Sequence, residues 1–144
     1  MTLYVVDASV GIKWLLPEPR TREALRVRSS GHPLHVPSFF DLELTSVLVK
    51  KQRAGLLTET QATRFVAQLP LLPLTRHAEQ SLLPQAYEIA IATNTSVYDA
   101  TYLALAKRLN GKMVTAYEAF RQAVIGSPWE PFVVGLIEAA SHRQ

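Results

Sequence analysis

The segment that most constrains the fold of this chain is VVDASVGIKW, residues 5–14. The apolar residues 3–6 predict a buried strand, and Asp7 follows directly at its end. From Val10 onward, apolar residues recur at helical spacing, which indicates a helix after the strand. A carboxylate at the carboxyl end of a buried strand lies where α/β folds place their sites. Asp7 is equally suited to cap the following helix.

The rest of the chain alternates short apolar runs with longer amphipathic segments. Strands are predicted at residues 34–36, 71–74, 112–115 and 129–134. Helices are predicted at residues 21–29, 39–54, 58–69, 78–93 (regular from Pro84), 97–110, 118–126 and 135–140. Strands that are separated by helices indicate parallel crossovers, so we expect residues 1–144 to form a single α/β sandwich domain.

Composition excludes several classes of site. The 144 residues include no cysteine, which rules out disulfides and thiolate metal sites, and the four histidines show no ligand spacing. No apolar run approaches the roughly 18 residues of a membrane span. The chain enters its first strand without a basic leader, so we expect a cytoplasmic protein that does not associate with membranes. The net charge of +3 is compatible with an RNA partner.

Three carboxylates are candidates for chemistry. Asp7 ends the first strand and Asp99 begins the helix before the fourth, so both are expected at one edge of the sheet. Glu43 lies on an apolar face of the long third helix, whereas Asp41 lies off that face. Converging carboxylates without histidine or cysteine suit Mg²⁺ or Mn²⁺, and such a site suits phosphodiester chemistry. The alternative is that Asp7 and Asp99 are helix caps and that Glu43 is a surface residue.

These residues carry a resemblance to a known family. VVDASVGIKW, PSFFDLELTSVL and SVYDATYLALAKRLNGKMVTA together resemble the PIN-domain ribonucleases of the VapC toxin type, over nearly the whole chain. The resemblance implies a four- or five-stranded parallel sheet between helices, Mg²⁺- or Mn²⁺-dependent cleavage of RNA, a cognate VapB-like antitoxin and a homodimer. It matches Asp7, Glu43 and Asp99 to the acidic positions of the family. It matches Ser9 and Thr115 to supporting hydroxyls, although Ser9 could also cap the first helix.

One position departs from the family pattern. The family usually has an aspartate two residues after the threonine, whereas this chain has Tyr117 there, followed by Glu118. Glu118 is a candidate substitute ligand, although a neighbouring helix position points about 100° away. Two interpretations stay open: an active nuclease with three acids, or a weakened or inactive PIN-fold module that acts through antitoxin or RNA binding. A Mg²⁺-dependent phosphatase is a weaker alternative, because no DxD pair follows the first strand.

Basic and apolar surface residues give less specific signals. Arginines cluster in the second helix and lysines at the end of the long third helix, where solvated faces are the simpler interpretation. Lys13 is a candidate contact for RNA phosphates because it lies close to Asp7 in the sequence. Apolar residues on the helices after Pro37 and Gly55 could serve a partner helix or a dimer.

Overall fold

Five short parallel strands form one sheet in the computed structural model, which describes residues 2–142. Their order across the sheet is β3-β2-β1-β4-β5, and every neighbouring pair is parallel. This architecture confirms the predicted α/β sandwich. The strands are β1 (Tyr4–Val6), β2 (Leu34–Pro37), β3 (Thr75–His77), β4 (Lys112–Thr115) and β5 (Val133–Gly135).

Helices connect the strands and cover the sheet. Helix α6 packs against β1, β2 and β4, with α5 outside it, while α2 and α8 pack against each other. Within residues 2–142, no helix has the length and hydrophobicity that a membrane crossing requires. The helices are α1 (Ala8–Gly11), α2 (Thr21–Arg28), α3 (Phe40–Arg53), α4 (Glu59–Gln68), α5 (Leu83–Thr93), α6 (Val97–Arg108), α7 (Glu118–Val124) and α8 (Leu136–Ala140).

The central strand β1 is buried on both faces. Val5 and Val6 have no exposed surface, and Tyr4 is 1% exposed. A strand that is covered on both faces reads as a continuous apolar run, which explains why residues 3–6 show no polar alternation. The start of α4 also follows the sequence, because Thr58 and Gln61 form the predicted capping box with reciprocal bonds of 3.1 and 2.9 Å.

Gly11 allows α1 to approach α3 closely. A Cβ atom at Gly11 would lie 2.5 Å from Cζ of Phe40, so any side chain there would displace the Phe40 ring. Phe40 is fully buried in the first turn of α3. The missing side chain therefore brings the start of α3, which carries Glu43, close to the segment that follows β1.

Two predicted strands are displaced along the sequence. Residues 71–74 were expected to form the third strand, but Leu69–Leu71 form a 3₁₀ turn and the strand is Thr75–His77. Pro70 and Pro73 lack the backbone N–H that a sheet ladder requires, which moves pairing to the residues beyond them. The expected position at a sheet edge is correct, because β3 pairs with β2 alone.

The last strand is displaced for a similar reason. It was expected at residues 129–134 but forms at Val133–Gly135, after a 3₁₀ turn at Glu130–Phe132 that contains a proline near its start. Proline fixes the backbone in a turn conformation and donates no hydrogen bond, so Pro131 prevents an earlier start of the strand.

The order of the strands reverses direction between β1 and β4. The chain proceeds from β1 outward to β2 and β3, then returns to place β4 and β5 on the other side of β1. Crevices form outside the carboxyl ends of the two strands at such a switch point, and ligands of open α/β sheets bind there. Asp7 follows β1 and Thr115 ends β4, so both lie at this point.

Candidate active site

Asp7 is buried at the switch point, with 3% of its surface exposed. Its Oδ1 accepts hydrogen bonds from the Ser9 backbone N–H at 2.7 Å and from the Ser9 hydroxyl. Its Oδ2 accepts a hydrogen bond from Oγ1 of Thr115 at 2.6 Å. Asp7 is therefore the N-cap of α1, as one interpretation of the sequence predicted. The hydrogen bond from Thr115 is not part of this cap. A metal-binding role of Asp7 would therefore be additional to its capping role.

The two hydroxyls that contact Asp7 are themselves fixed by backbone donors. The N–H of Ala116 donates to Oγ of Ser9, and the N–H of Tyr117 donates to Oγ1 of Thr115, each at 3.0 Å. Each hydroxyl oxygen thus accepts a hydrogen bond from the backbone between β4 and α7, and each hydroxyl donates its own proton to an oxygen of Asp7. This arrangement gives Ser9 and Thr115 the predicted supporting geometry. The alternative that Ser9 caps α1 is wrong, because Asp7 occupies the cap position.

Glu43 lies in the first turn of α3 and is partly buried. Its Oε1 accepts a hydrogen bond of 2.6 Å from the hydroxyl of Tyr102, whose ring is 1% exposed. Burial and the charge of Glu43 raise the pKa of the Tyr102 hydroxyl, so this group stays protonated and acts as the donor. The alternative that Glu43 is a plain surface residue is therefore wrong.

Tyr102 was not among the predicted site residues. It belongs to the YDATYLALA segment, where it follows Asp99 by three positions and therefore shares a helix face with it. A buried tyrosine usually needs a hydrogen-bond partner for its hydroxyl. A tyrosine on the apolar face of this helix, whose hydroxyl needs a partner, is the signal in the sequence that could have identified Tyr102 as a site residue.

Asp99 lies in the first turn of α6 without capping it. The N-cap is Ser96, whose hydroxyl accepts from the Asp99 backbone N–H at 3.1 Å. The Asp99 carboxylate is consequently not occupied by capping, which contradicts the cap alternative. Because α6 runs back along the sheet before β4, its first turn lies at the same edge as Asp7.

The three predicted carboxylates lie within electrostatic reach of one another. Burial raises the pKa of Asp7 to about 6, and the charge of Asp99 contributes to this increase. Burial, followed by the charges of Asp99 and Asp7, raises the pKa of Glu43, and burial raises that of Asp99. Asp41 lies apart from them and binds the Arg76 guanidinium through both oxygens, at 2.7 and 3.1 Å. The sequence thus separated Asp41 correctly from the other acids.

Within residues 2–142, no group of three Asp, Glu or His side chains is arranged so that it could hold a metal ion directly. The donor chemistry nevertheless fits a hard divalent ion. Asp7, Glu43 and Asp99 offer oxygen atoms alone, and Mg²⁺ commonly takes one or two carboxylates directly and keeps several waters. The raised pKa values indicate that the ion-free carboxylates are destabilised by burial and mutual repulsion, which a bound cation would relieve.

Glu118 does not replace the missing fourth acid. Its carboxylate is directed along the surface of α7, where it contacts Arg121 at 3.2 Å and Gln122 at 3.1 Å. Its side chain is 63% exposed, and its charge does not contribute to the pKa of Asp7. Tyr117 is 51% exposed and lines a shallow depression together with Asp99. The tentative assignment of Glu118 as a metal ligand is therefore not supported by its position.

Lys13 is not a free phosphate contact. Its Nζ lies 3.1 Å from the Glu18 carboxylate, and only 11% of its side chain is exposed. Two arginines of this region are engaged as well, since Arg20, which directly precedes α2, pairs with Glu23, and Arg28 at the end of α2 lies over the Trp14 ring. This supports the simpler interpretation of the basic groups as solvated helix faces.

The raised pKa of Asp7 predicts how stability depends on pH in ion-free buffer. Between the ordinary value of 3.8 and about 6, the folded protein binds more protons than the unfolded chain. The free energy of unfolding should therefore fall by about 3 kcal/mol as pH rises through this range, and then level off. Urea unfolding at a series of pH values measures it. The Asp7→Asn variant should lose the part of this slope that Asp7 contributes, while the raised pKa values of Glu43 and Asp99 keep a part of the same sign. A parent slope equal to that of the variant would contradict the assignment.

Comparison with known proteins identifies the family. The model of the PIN domain family matches residues 4–125. Ribonuclease VapC3 of Pyrobaculum aerophilum is 34% identical over 113 residues, which are 77% of this chain and 86% of the relative. Ribonuclease VapC3 of Mycobacterium tuberculosis is 33% identical over 119 residues, which are 83% of this chain and 85% of the relative. The chain belongs to the PIN domain family, which confirms the resemblance.

Solved structures agree on the fold. The crystal structure of PAE2754 from Pyrobaculum aerophilum superimposes with a TM-score of 0.70 at 18% identity, covering 98% of this chain and 97% of that one. A toxin–antitoxin complex from Klebsiella pneumoniae contains a chain that matches with a TM-score of 0.65 at 16% identity, covering 92% and 97%. At these identities the match establishes a shared fold.

Proposed function

We propose that this protein is a Mg²⁺- or Mn²⁺-dependent endoribonuclease and the toxin of a VapBC-like toxin–antitoxin pair in the cytoplasm. The observation that carries the proposal is the burial of Asp7 at the switch point, where Ser9 and Thr115 bind both of its oxygens. Such an arrangement is costly for a residue that serves packing alone, because burial disfavours the charged carboxylate. Relatives named ribonuclease VapC support the choice of RNA as substrate.

The chain's own residues divide the work at this site. Asp7 and Asp99 are the carboxylates that would hold the ion, and Glu43 would bind the ion or its waters. Ser9 and Thr115 keep the Asp7 oxygens in one orientation, and Tyr102 does the same for Glu43. When bound, Mg²⁺ or Mn²⁺ would supply a polarised water and neutralise charge on the scissile phosphate.

Two protein partners complete the proposal. An antitoxin helix would insert apolar side chains into the groove of about 220 Å³ between α3 and α4, whose apolar lining includes Leu48, Val49 and Val66. A second copy of the chain would cover the stripe formed by Leu83, Tyr87 and Ile91 on α5. These three side chains are 47%, 66% and 69% exposed at a spacing of four residues.

Cleavage of RNA by the purified chain tests the enzyme assignment. With Mg²⁺ or Mn²⁺ we expect endonucleolytic products with a 5′-phosphate and a 3′-hydroxyl. EDTA should abolish cleavage, because three unneutralised carboxylates repel the phosphate. Readdition of Mn²⁺ should restore it. Unchanged cleavage in EDTA would exclude the proposed metal dependence.

Tyr117 favours a second candidate, a catalytically weakened PIN-fold module that acts by binding its antitoxin or RNA. Among residues 2–142, Glu118 is the neighbouring acid that could substitute at position 117, and its carboxylate is directed outward. Titration of Mn²⁺ with parent and Tyr117→Asp proteins, each at saturating RNA, separates the two candidates. The second candidate predicts much weaker cleavage, or none, by the parent than by the variant. Similar cleavage by both proteins would eliminate it.

A further inference from the structure

Tyr117 combines three properties that fit contact with a nucleobase. Tyr117 is 51% exposed, and within residues 2–142 its hydroxyl makes no hydrogen bond and its ring makes no aromatic contact. It lines a depression together with Asp99 and Phe120. A half-exposed aromatic side chain therefore lies beside Asp99, one of the carboxylates at which the proposed function places RNA.

The backbone of Tyr117 is tied to the carboxylate cluster. Its N–H donates to Oγ1 of Thr115 at 3.0 Å, and the same oxygen donates to Oδ2 of Asp7 at 2.6 Å. Two hydrogen bonds thus connect Tyr117 to the residue that we place at the scissile phosphate. This connection fixes the backbone of Tyr117 relative to Asp7, although the ring itself faces solvent.

Other exposed tyrosines lack this combination. Tyr98 is 58% exposed, but its ring packs edge-on against Phe39 at 5.7 Å. Tyr87 is 66% exposed, but it belongs to the α5 stripe that we assign to a second copy of the chain. Leu71 is 80% exposed in the turn before β3, and it offers a control for the truncation of an exposed apolar side chain elsewhere.

We propose that Tyr117 is a substrate-positioning residue that stacks on one unpaired base of single-stranded RNA next to the scissile phosphate. Proteins recognise single-stranded RNA largely by stacking bases on aromatic side chains, and the contact tolerates any base because each has a π-face. In this chain the position that usually holds an acid would thus contribute RNA affinity in place of a metal ligand. The inference rests on the proposed function, because it requires RNA at the carboxylates.

Binding can be measured without cleavage in the Asp7→Asn background, in buffer with Mg²⁺. A fluorescent single-stranded RNA and an abasic oligomer of the same length serve as ligands, since the two share their phosphates and differ in their bases. Tyr117→Leu should weaken binding of the RNA by roughly 5- to 100-fold. It should leave binding of the abasic oligomer unchanged. Tyr117→Phe should bind like the parent, because stacking needs the ring and not the hydroxyl.

The control and the contrary outcomes separate this inference from the proposed function. Leu71→Ala should bind both ligands like the parent background. If Tyr117→Leu lost the same affinity for the RNA and for the abasic oligomer, or lost no affinity for either, stacking would be overturned while the nuclease assignment stands. A loss with Tyr117→Phe as large as with Tyr117→Leu would also overturn it and assign the hydroxyl. Absence of RNA binding by every variant would overturn stacking, whereas absence of RNA cleavage by the parent protein with Mn²⁺ would overturn the proposed function.

Discussion

Asp7→Asn should abolish RNA cleavage while the protein stays folded. Asparagine keeps the size and shape of the side chain but removes the charge that would hold the ion. Loss of residues that only orient a metal ligand typically costs about 10- to 100-fold, so loss of the ligand itself should exceed about 100-fold. The cleavage rate of a labelled RNA, together with circular dichroism and thermal melting, measures both parts of the expectation.

Asp41→Asn is the matched control for this variant. Asp41 lies in the first turn of α3, close in sequence to Glu43, but its carboxylate binds Arg76. Removing that partly exposed ion pair should cost little stability, on the order of 1 kcal/mol or less, and should leave cleavage unchanged. Cleavage by Asp7→Asn at the parent rate, or equal losses in the two variants, would refute a specific role for Asp7.

Thr115→Val should lower cleavage by about 10- to 100-fold. The Thr115 hydroxyl donates to Asp7 and accepts from Tyr117 N–H, and valine can do neither. Leaving these groups without a partner should also lower the free energy of unfolding by about 1–3 kcal/mol. Because the lost hydrogen bond helps to keep Asp7 ionised, the pKa of Asp7 should rise further. The lower limb of the pH–rate profile should then move to higher pH, which a purely structural defect would not cause.

Two variants test whether this effect belongs to the hydroxyl. Thr115→Ser retains the hydroxyl and should restore most of the activity. Thr101→Val removes another buried hydroxyl, which donates only to the Val97 carbonyl within α6, and should leave the pH–rate profile in place. An unchanged profile in Thr115→Val would show that Thr115 supports the fold and does not tune Asp7.

The sequence was most informative where local chemistry decides the structure. The continuous apolar run before Asp7 predicted a strand that proved to be central and buried. The capping box at Thr58 and the Asn110–Gly111 end of α6 also formed as expected. The sequence was less informative at residues 71–74 and 129–134, where apolar side chains suggested strands that begin too early. Prolines there remove the backbone donors, so turns form and the pairing begins later.

Contacts between distant residues required the tertiary structure. Thr115 reaches Asp7 across 108 positions, and Tyr102 reaches Glu43 across 59. No spacing rule relates residues so far apart, because their proximity depends on the order of strands in the sheet and on the approach of α1 to α3 at Gly11. Proximity in the sequence was also misleading for Lys13. Its position near Asp7 suggested a phosphate contact, but the fold pairs it with Glu18.

The sequence by itself determined the fold class and the family, and it singled out three carboxylates among the acidic residues, because apolar periodicity and strand-end positions are local properties of the chain. The tertiary structure decided how these carboxylates are held. It showed that both Asp7 oxygens receive hydroxyl protons, that Glu43 depends on Tyr102, and that Glu118 is directed away. It also placed Tyr117 beside Asp99 with its ring exposed. Burial and hydrogen-bond geometry are set by packing between distant segments, so the spacing of residues along the chain does not reveal them.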